Sequence, residues 1–162
     1  MQFTDDKTIK LDKELNDLDL FVIKFIRIVE KYVDYVIISG YVSILLGRSR
    51  ATEDVDLFIK KISKEKFEKL YDELKKSGFW CLNAEDVNEI YDYLEDNLAI
   101  RFAEKGEAIP NFEVKIAKNN LSIAAFSDSI KVKTKKGDLI ISSLERQIAF
   151  KRYYLKSDKD LE

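Results

Sequence analysis

The 162-residue sequence contains no histidine and only one cysteine, Cys81. Without histidine, the protein lacks the side chain that most often serves as a general base or as a metal ligand. A single cysteine excludes a disulfide within the chain and provides no cysteine spacing typical of a zinc site. Any metal that this protein binds must therefore be held by oxygen ligands.

The sequence also lacks long apolar runs. No segment approaches the roughly 18 consecutive apolar residues that a membrane-spanning helix needs, and the charged first 13 residues do not resemble a secretion signal. The net charge of −2 gives no general attraction to nucleic acid, although a lysine-rich run lies at residues 131–136. We therefore expect a cytoplasmic protein without a membrane partner, folded as a single domain over residues 1–162.

Hydrophobic periodicity predicts an α/β (α+β) fold, in which helices flank a mixed β-sheet. An N-terminal helix is predicted over residues 11–33, a core over about residues 34–141 and a C-terminal helix over residues 142–162, which opens with a Ser-Ser-Leu-Glu capping box. Further helices are predicted at residues 41–46 and 63–78, whereas residues 84–97 fit either a helix or an irregular acidic segment. Strands are predicted at residues 35–38, 54–60, 79–82, 98–102, 112–117, 129–133 and 139–141.

Residues 38–59 contain the sequence pattern that indicates a binding or catalytic site. A strand ends at Ser39 and Gly40 and a short apolar helix follows, so that backbone N–H groups at this turn can approach a phosphate. Asp54 and Asp56 lie on one face of the next strand, about 6–7 Å apart, where their repulsion is roughly 2–3 kcal/mol at an effective dielectric constant of about 20. A divalent cation that binds carboxylates and substrate phosphates together would relieve this repulsion. The pattern predicts Mg²⁺ with a nucleoside triphosphate.

The Asp-x-Asp spacing alone is a weak signal. It also occurs at residues 17–19 and 158–160, where solvated helix faces explain it. The strand that carries Asp54 and Asp56, together with the preceding Ser-Gly turn, distinguishes this pair from the other two.

The segment SGYVSILLGRSRATEDVDLFI, residues 39–59, resembles the signature of the DNA polymerase β-type nucleotidyltransferase superfamily, a Gly-Gly or Gly-Ser turn followed by an Asp-x-Asp strand. It is similar in particular to the minimal nucleotidyltransferases of the AbiEii toxin–antitoxin class, which have Gly-Arg-x-Arg-x-Thr before the aspartates. The tail ISSLERQIAFKRYYLKSDKDLE, residues 141–162, resembles the helix that follows the catalytic core in that class. The two segments cover about a quarter of the chain.

The resemblance implies that Ser39 and Gly40 hold the triphosphate, with Ser43 on the following helix also assigned to the nucleotide. It further implies that Asp54 and Asp56 bind the metal ions, Mg²⁺ or alternatively Mn²⁺. Ser39 stands where the class more often has glycine. The serine offers a hydroxyl donor to a phosphate but narrows the backbone freedom of the turn.

The remaining site residues are also assigned by resemblance. Glu113 is the positional match for a third carboxylate, where the class usually has aspartate. It would serve as a metal ligand and as the base for the incoming hydroxyl group, or it would simply pair with Lys115 on the same face. Arg50 matches the class motif better than Arg48 does and is assigned to the nucleotide or to bracing the Asp-x-Asp strand. Lys151 would meet a phosphate, or lie on a solvated helix face.

Together these assignments imply a Mg²⁺-dependent enzyme that transfers NMP from an NTP such as ATP to a hydroxyl acceptor, either an RNA end or a protein side chain. The alternative is a catalytically inactive nucleotide-binding or partner-binding module of a toxin–antitoxin-like system. The departure at Ser39 and the uncertain role of Glu113 keep this alternative open.

Overall fold

The computed structural model of the protein describes residues 2–5, 7–47 and 53–143. In this part of the chain, five helices flank a nine-stranded mixed sheet, which confirms the predicted α/β (α+β) class. The helices are α1 (Asp17–Val29), α2 (Gly40–Leu45), α3 (Lys64–Lys76), α4 (Val87–Glu95) and α5 (Asn120–Ser127). The strands are β1 (Gln2–Asp5), β2 (Thr8–Lys10), β3 (Tyr35–Ile38), β4 (Asp54–Ile59), β5 (Phe79–Cys81), β6 (Ile100–Glu104), β7 (Asn111–Ile116), β8 (Ile130–Thr134) and β9 (Gly137–Ile141).

The strands follow the spatial order β1-β2-β8-β9-β3-β4-β7-β6-β5. Strand β4 lies inside the sheet, antiparallel to β3 and parallel to β7. Strand β3 therefore ends at the same edge of the sheet at which β4 and β7 begin. The Asp-x-Asp strand therefore occupies an interior position of the sheet.

One face of the sheet carries the main hydrophobic core, which is covered by α1, α3 and α4. Aromatic rings fill the space between α1 and the strands: Phe112 of β7 stacks on Phe25 with a centroid distance of 3.9 Å and on Phe21 at 4.6 Å. Burial of each such side chain contributes about 1.5–3 kcal/mol. This packing fixes which residues of β7 face inward, and hence which face the opposite side.

The opposite face is divided into an apolar half and a polar half. Helix α5 covers the apolar half, where Ala125 packs against Val36 of β3 and Phe58 of β4. Side chains alternate along a strand, so Asp54 and Asp56 share this face with Phe58 but lie nearer the start of β4. The polar side chains of the sheet therefore gather at the end that α5 leaves uncovered.

The predicted N-terminal helix over residues 11–33 is too long, because α1 begins only at Asp17 and ends at Val29. Its start is set by a capping box: the Asn16 side chain accepts a hydrogen bond from the backbone N–H of Asp19, and the Asp19 carboxylate accepts one from the backbone N–H of Asn16. Apolar residues before this cap, such as Leu11, are buried without being helical.

For the other elements, the predictions from the sequence agree with the structure only in part. Residues 84–97 contain helix α4, which decides between the two readings of that segment. Strands β1 and β2 and helix α5 were not predicted. Of the predicted C-terminal helix, residues 144–162 lie outside the described residues, and residues 142 and 143 have no regular structure. Within the described ranges, no helix has the length and apolar character needed to cross a bilayer.

Candidate functional site

Three strands bring the predicted site residues to one edge of the sheet. In register, Ile38 at the end of β3 lies beside Asp56 of β4, and Asp56 lies beside Glu113 of β7. Asp54 is paired in the same way with Asn111 at the start of β7. The Ser-Gly turn, the Asp-x-Asp pair and Glu113 therefore meet, although they are separated by up to 74 positions in the sequence.

Ser39 makes the sharp turn from β3 into α2. Its backbone has φ 70° and ψ −150°, a conformation that glycine adopts easily and that other residues adopt at a cost of about 1–3 kcal/mol. Ser39 therefore has a backbone geometry that is usual for glycine. The Ser39 side chain also forms a hydrogen bond with the Asp56 carboxylate, which links the turn to the acidic strand.

Helix α2 is anchored through a buried polar network. The Tyr41 hydroxyl donates to Asp19 Oδ1 at 2.8 Å, and Lys13 Nζ lies 3.1 Å both from Asp19 Oδ2 and from the carbonyl oxygen of Ile44. Asp19 is completely buried. Burial and the neighbouring Asp19 carboxylate raise the pKa of Tyr41 well above its ordinary value. The network ties the Ser39–Gly40 turn and α2 to the start of α1.

Asp56 is the most perturbed acid of the site. Burial, a hydrogen bond with Glu113 and the negative charge of Glu113 raise the pKa of Asp56 to about 7, and the hydrogen bond from Ser39 opposes this rise. Its Oδ1 atom is fully buried and has no hydrogen-bond partner among the described residues. A buried carboxylate oxygen of this kind is costly, so the site favours either a proton or a cation at this position.

Arg101 of β6 is a site residue that the sequence did not reveal. Its guanidinium lies 3.3 Å from Asp54 Oδ1, 3.5 Å from Glu113 Oε2 and 3.0 Å from Asn111 Oδ1. Strand β6 pairs Arg101 directly with Glu113. The only signal in the sequence would have been the antiparallel register of the predicted hairpin between residues 98–102 and 112–117. The ion pair of Glu113 is with Arg101, rather than with Lys115.

Of the other predicted nucleotide-binding residues, Gly40 and Ser43 lie in the part of the chain that the structure describes. Gly40 is the first residue of α2, and Ser43 lies one turn further along the same helix, half-buried. Arg50 and Lys151, like Arg48, lie outside the described residues. Among the described residues, the geometry therefore joins the turn and the three carboxylates.

The carboxylates supply only oxygen ligands, which are the ligands that Mg²⁺ and Mn²⁺ prefer. The orphaned Oδ1 of Asp56, beside Glu113, fits such an ion in its chemistry. As they stand, however, the described Cys, Asp and Glu side chains form no group of three arranged to hold a metal ion. Arg101 is the positive group that lies between Asp54 and Glu113 instead.

A cavity of about 510 Å³ lies next to this edge of the sheet. Its walls include the apolar side chains of Leu18, Phe21 and Ile109, and its carboxylates include Glu53 and Glu104. Carboxylates repel phosphate groups, so this cavity does not suit a triphosphate.

Comparison with known protein-family models gave no match, and comparison with curated proteins gave none.

Proposed function

We propose that this protein is a Mg²⁺-dependent nucleotidyltransferase, which transfers NMP from an NTP to a hydroxyl group of an acceptor RNA or protein. The observation that carries the proposal is the buried, unpartnered Oδ1 of Asp56 between the Ser39 turn and Glu113. Natural proteins seldom leave a buried carboxylate oxygen without a partner, and such exceptions concentrate at functional sites.

In the proposed reaction, the acceptor oxygen attacks the α-phosphorus, a new P–O bond forms, and the bond to the leaving pyrophosphate breaks. Asp54, Asp56 and Glu113 would hold the divalent cation, which supplies positive charge against the triphosphate when bound. Glu113 would accept the proton of the attacking hydroxyl group. The role of the protein is mainly to position the groups and to neutralise charge, without a covalent intermediate.

The Ser39–Gly40 turn would hold the triphosphate beside these carboxylates. Ser39 contributes a hydroxyl group, and the conformation of its backbone directs the chain away from the sheet edge. The hydrogen-bonded network of Tyr41, Asp19 and Lys13 anchors this turn to the start of α1. Preorganisation of this kind lowers the cost of bringing phosphate and acceptor together.

A second candidate function is a nucleotide-binding or partner-binding module without catalysis, in a toxin–antitoxin-like system. It is favoured by Arg101, whose guanidinium pairs with the carboxylates of Asp54 and Glu113. This module would bind its ligand without turnover.

The two candidates are separated by measuring binding and turnover on the same protein. Thermal shifts would be recorded for ATP, GTP, CTP and UTP with and without Mg²⁺, on the wild type, on Asp54→Ala/Asp56→Ala and on the control Asp92→Ala, which removes an exposed acid of α4. A nucleotide at 100 times its Kd adds about 2.7 kcal/mol, or about 5–10 °C for a protein of this size.

A Mg²⁺-dependent shift in the wild type and in Asp92→Ala, lost in the double variant, would support the triphosphate site. Transfer of label from α-³²P-NTP to cellular RNA or protein would then support the enzyme. A shift without transfer would favour the inactive module. If no nucleotide shifts the melting temperature of the wild type, the proposal fails.

A further inference from the structure

Arg101 holds a position that the proposed reaction does not explain. Its guanidinium contacts Asp54, Glu113 and Asn111 at the same time, and thus joins two of the three carboxylates across strands β4, β6 and β7. A planar guanidinium with several N–H donors suits this bridging role, whereas a lysine ammonium would reach fewer of the three oxygens with good geometry.

The backbone of Arg101 is fixed independently of its side chain. Its N–H donates to Asn83 Oδ1 at 2.7 Å, and its carbonyl oxygen accepts from the N–H of Leu82 at 2.8 Å. The side chain is 38% exposed. The guanidinium can therefore leave the carboxylates by rotating its side chain, without any change in the sheet.

We propose that Arg101 is a positioning residue that acts as the internal counterion of the carboxylates and competes with the divalent cation for them. This inference rests on the proposed function. With no metal bound, Arg101 limits the repulsion between Asp54 and Glu113 and keeps both at the sheet edge. When a cation takes these oxygens, the guanidinium is released and becomes available to the anionic substrate.

The competition should be modest in size. Partly exposed ion pairs contribute little each, so two of them should weaken cation binding by only about 3- to 10-fold. This is small enough for a metal–nucleotide complex to displace the guanidinium. It is also large enough to measure with the metal alone.

The test is a titration of the intact protein with Mn²⁺ alone, in which free Mn²⁺ is measured by electron paramagnetic resonance. The variants are Arg101→Met, which keeps most of the length of the side chain without the charge, and Arg101→Lys, which restores the charge. Circular dichroism melts would establish that each variant is folded at the temperature of the titration.

We expect Arg101→Met to bind Mn²⁺ about 3- to 10-fold more tightly than the wild type, and Arg101→Lys to return most of the way to wild-type affinity. A purely structural arginine would change the melting temperature and leave the Mn²⁺ affinity unchanged or weaker, which would overturn the inference while leaving the proposed function intact. If neither the wild type nor Arg101→Met binds Mn²⁺, the inference and the proposed metal site both fail.

Discussion

Replacing Asp56 with asparagine should stabilise the metal-free protein at high pH. Asparagine keeps the shape of the side chain but cannot ionise, and ionisation of Asp56 is opposed by burial and by Glu113. The difference between the ordinary pKa of 3.8 and about 7 in the folded protein corresponds to about 4 kcal/mol. Because Asp56 is hydrogen-bonded to Glu113, this cost belongs partly to the pair. We therefore expect a gain of about 1–3 kcal/mol at pH 8.

The direction of the pH dependence follows from the raised pKa. Between about pH 4 and pH 7, the folded protein retains a proton on Asp56 that the unfolded chain has released. The contribution of Asp56 to the stability of the wild type should therefore fall as the pH rises through this range. The difference between Asp56→Asn and the wild type should widen from pH 4 to pH 7 and then level off.

The assay is urea unfolding or thermal melting in EDTA between pH 4 and pH 8. At pH 8 the expected gain corresponds to a melting temperature about 3–10 °C higher than that of the wild type. Asp54→Asn is the matched control, because Asp54 lies on the same strand but is half-exposed and paired with Arg101. That change should cost up to about 1 kcal/mol. A difference for Asp56→Asn that stays constant or narrows with rising pH would refute the assignment of the cost to a buried carboxylate.

Three further changes test other parts of the structure by thermal melting. Ser39→Gly should be more stable than Ser39→Ala by about 0.5–2 kcal/mol, because both variants lose the hydrogen bond to Asp56 and only glycine relieves the strained backbone, by more than the entropy it adds to the unfolded chain; equal stabilities would mean that the turn is not strained. Tyr41→Phe should cost about 1–3 kcal/mol, because it deprives buried Asp19 of a donor, and an unchanged melting temperature would exclude this network as an anchor of α2. Phe112→Ala should cost about 3–5 kcal/mol, clearly more than Phe126→Ala, which removes a half-buried ring of α5, and equal losses would contradict the central place of Phe112 in the aromatic core.

The sequence predicted those elements whose signals are local. Strands β3 and β4 were found within one residue of their observed bounds and helix α3 within two, because alternation, β-branched residues and the Ser63 cap all act over a few positions. Helix α5 was missed because its apolar residues are not confined to one face of the helix. Strands β1 and β2 were missed because the charged first residues form a sheet edge that depends on pairing with β8.

The site residues likewise divide into those with a local sequence signal and those whose role depends on strand pairing. The turn at Ser39 and the pair Asp54 and Asp56 lie within 18 residues of each other, and the sequence predicted both. Glu113 was identified only by its position on a later strand, and the structure places it beside Asp56. Arg101 was missed because its role depends on the register between β6 and β7, which no local pattern specifies.

The parallel pairing of β4 with β7 makes the chemistry of this protein dependent on its core. Phe112 and Glu113 are neighbours that face opposite sides of the sheet, so a one-residue slip of β7 would turn the acid towards the aromatic rings and the phenyl ring towards the carboxylates. Any sequence change that weakens the core packing of β7 therefore also endangers the site. In the course of evolution, insertions and deletions should accumulate in the turn at residues 105–110 and be excluded from β7 itself.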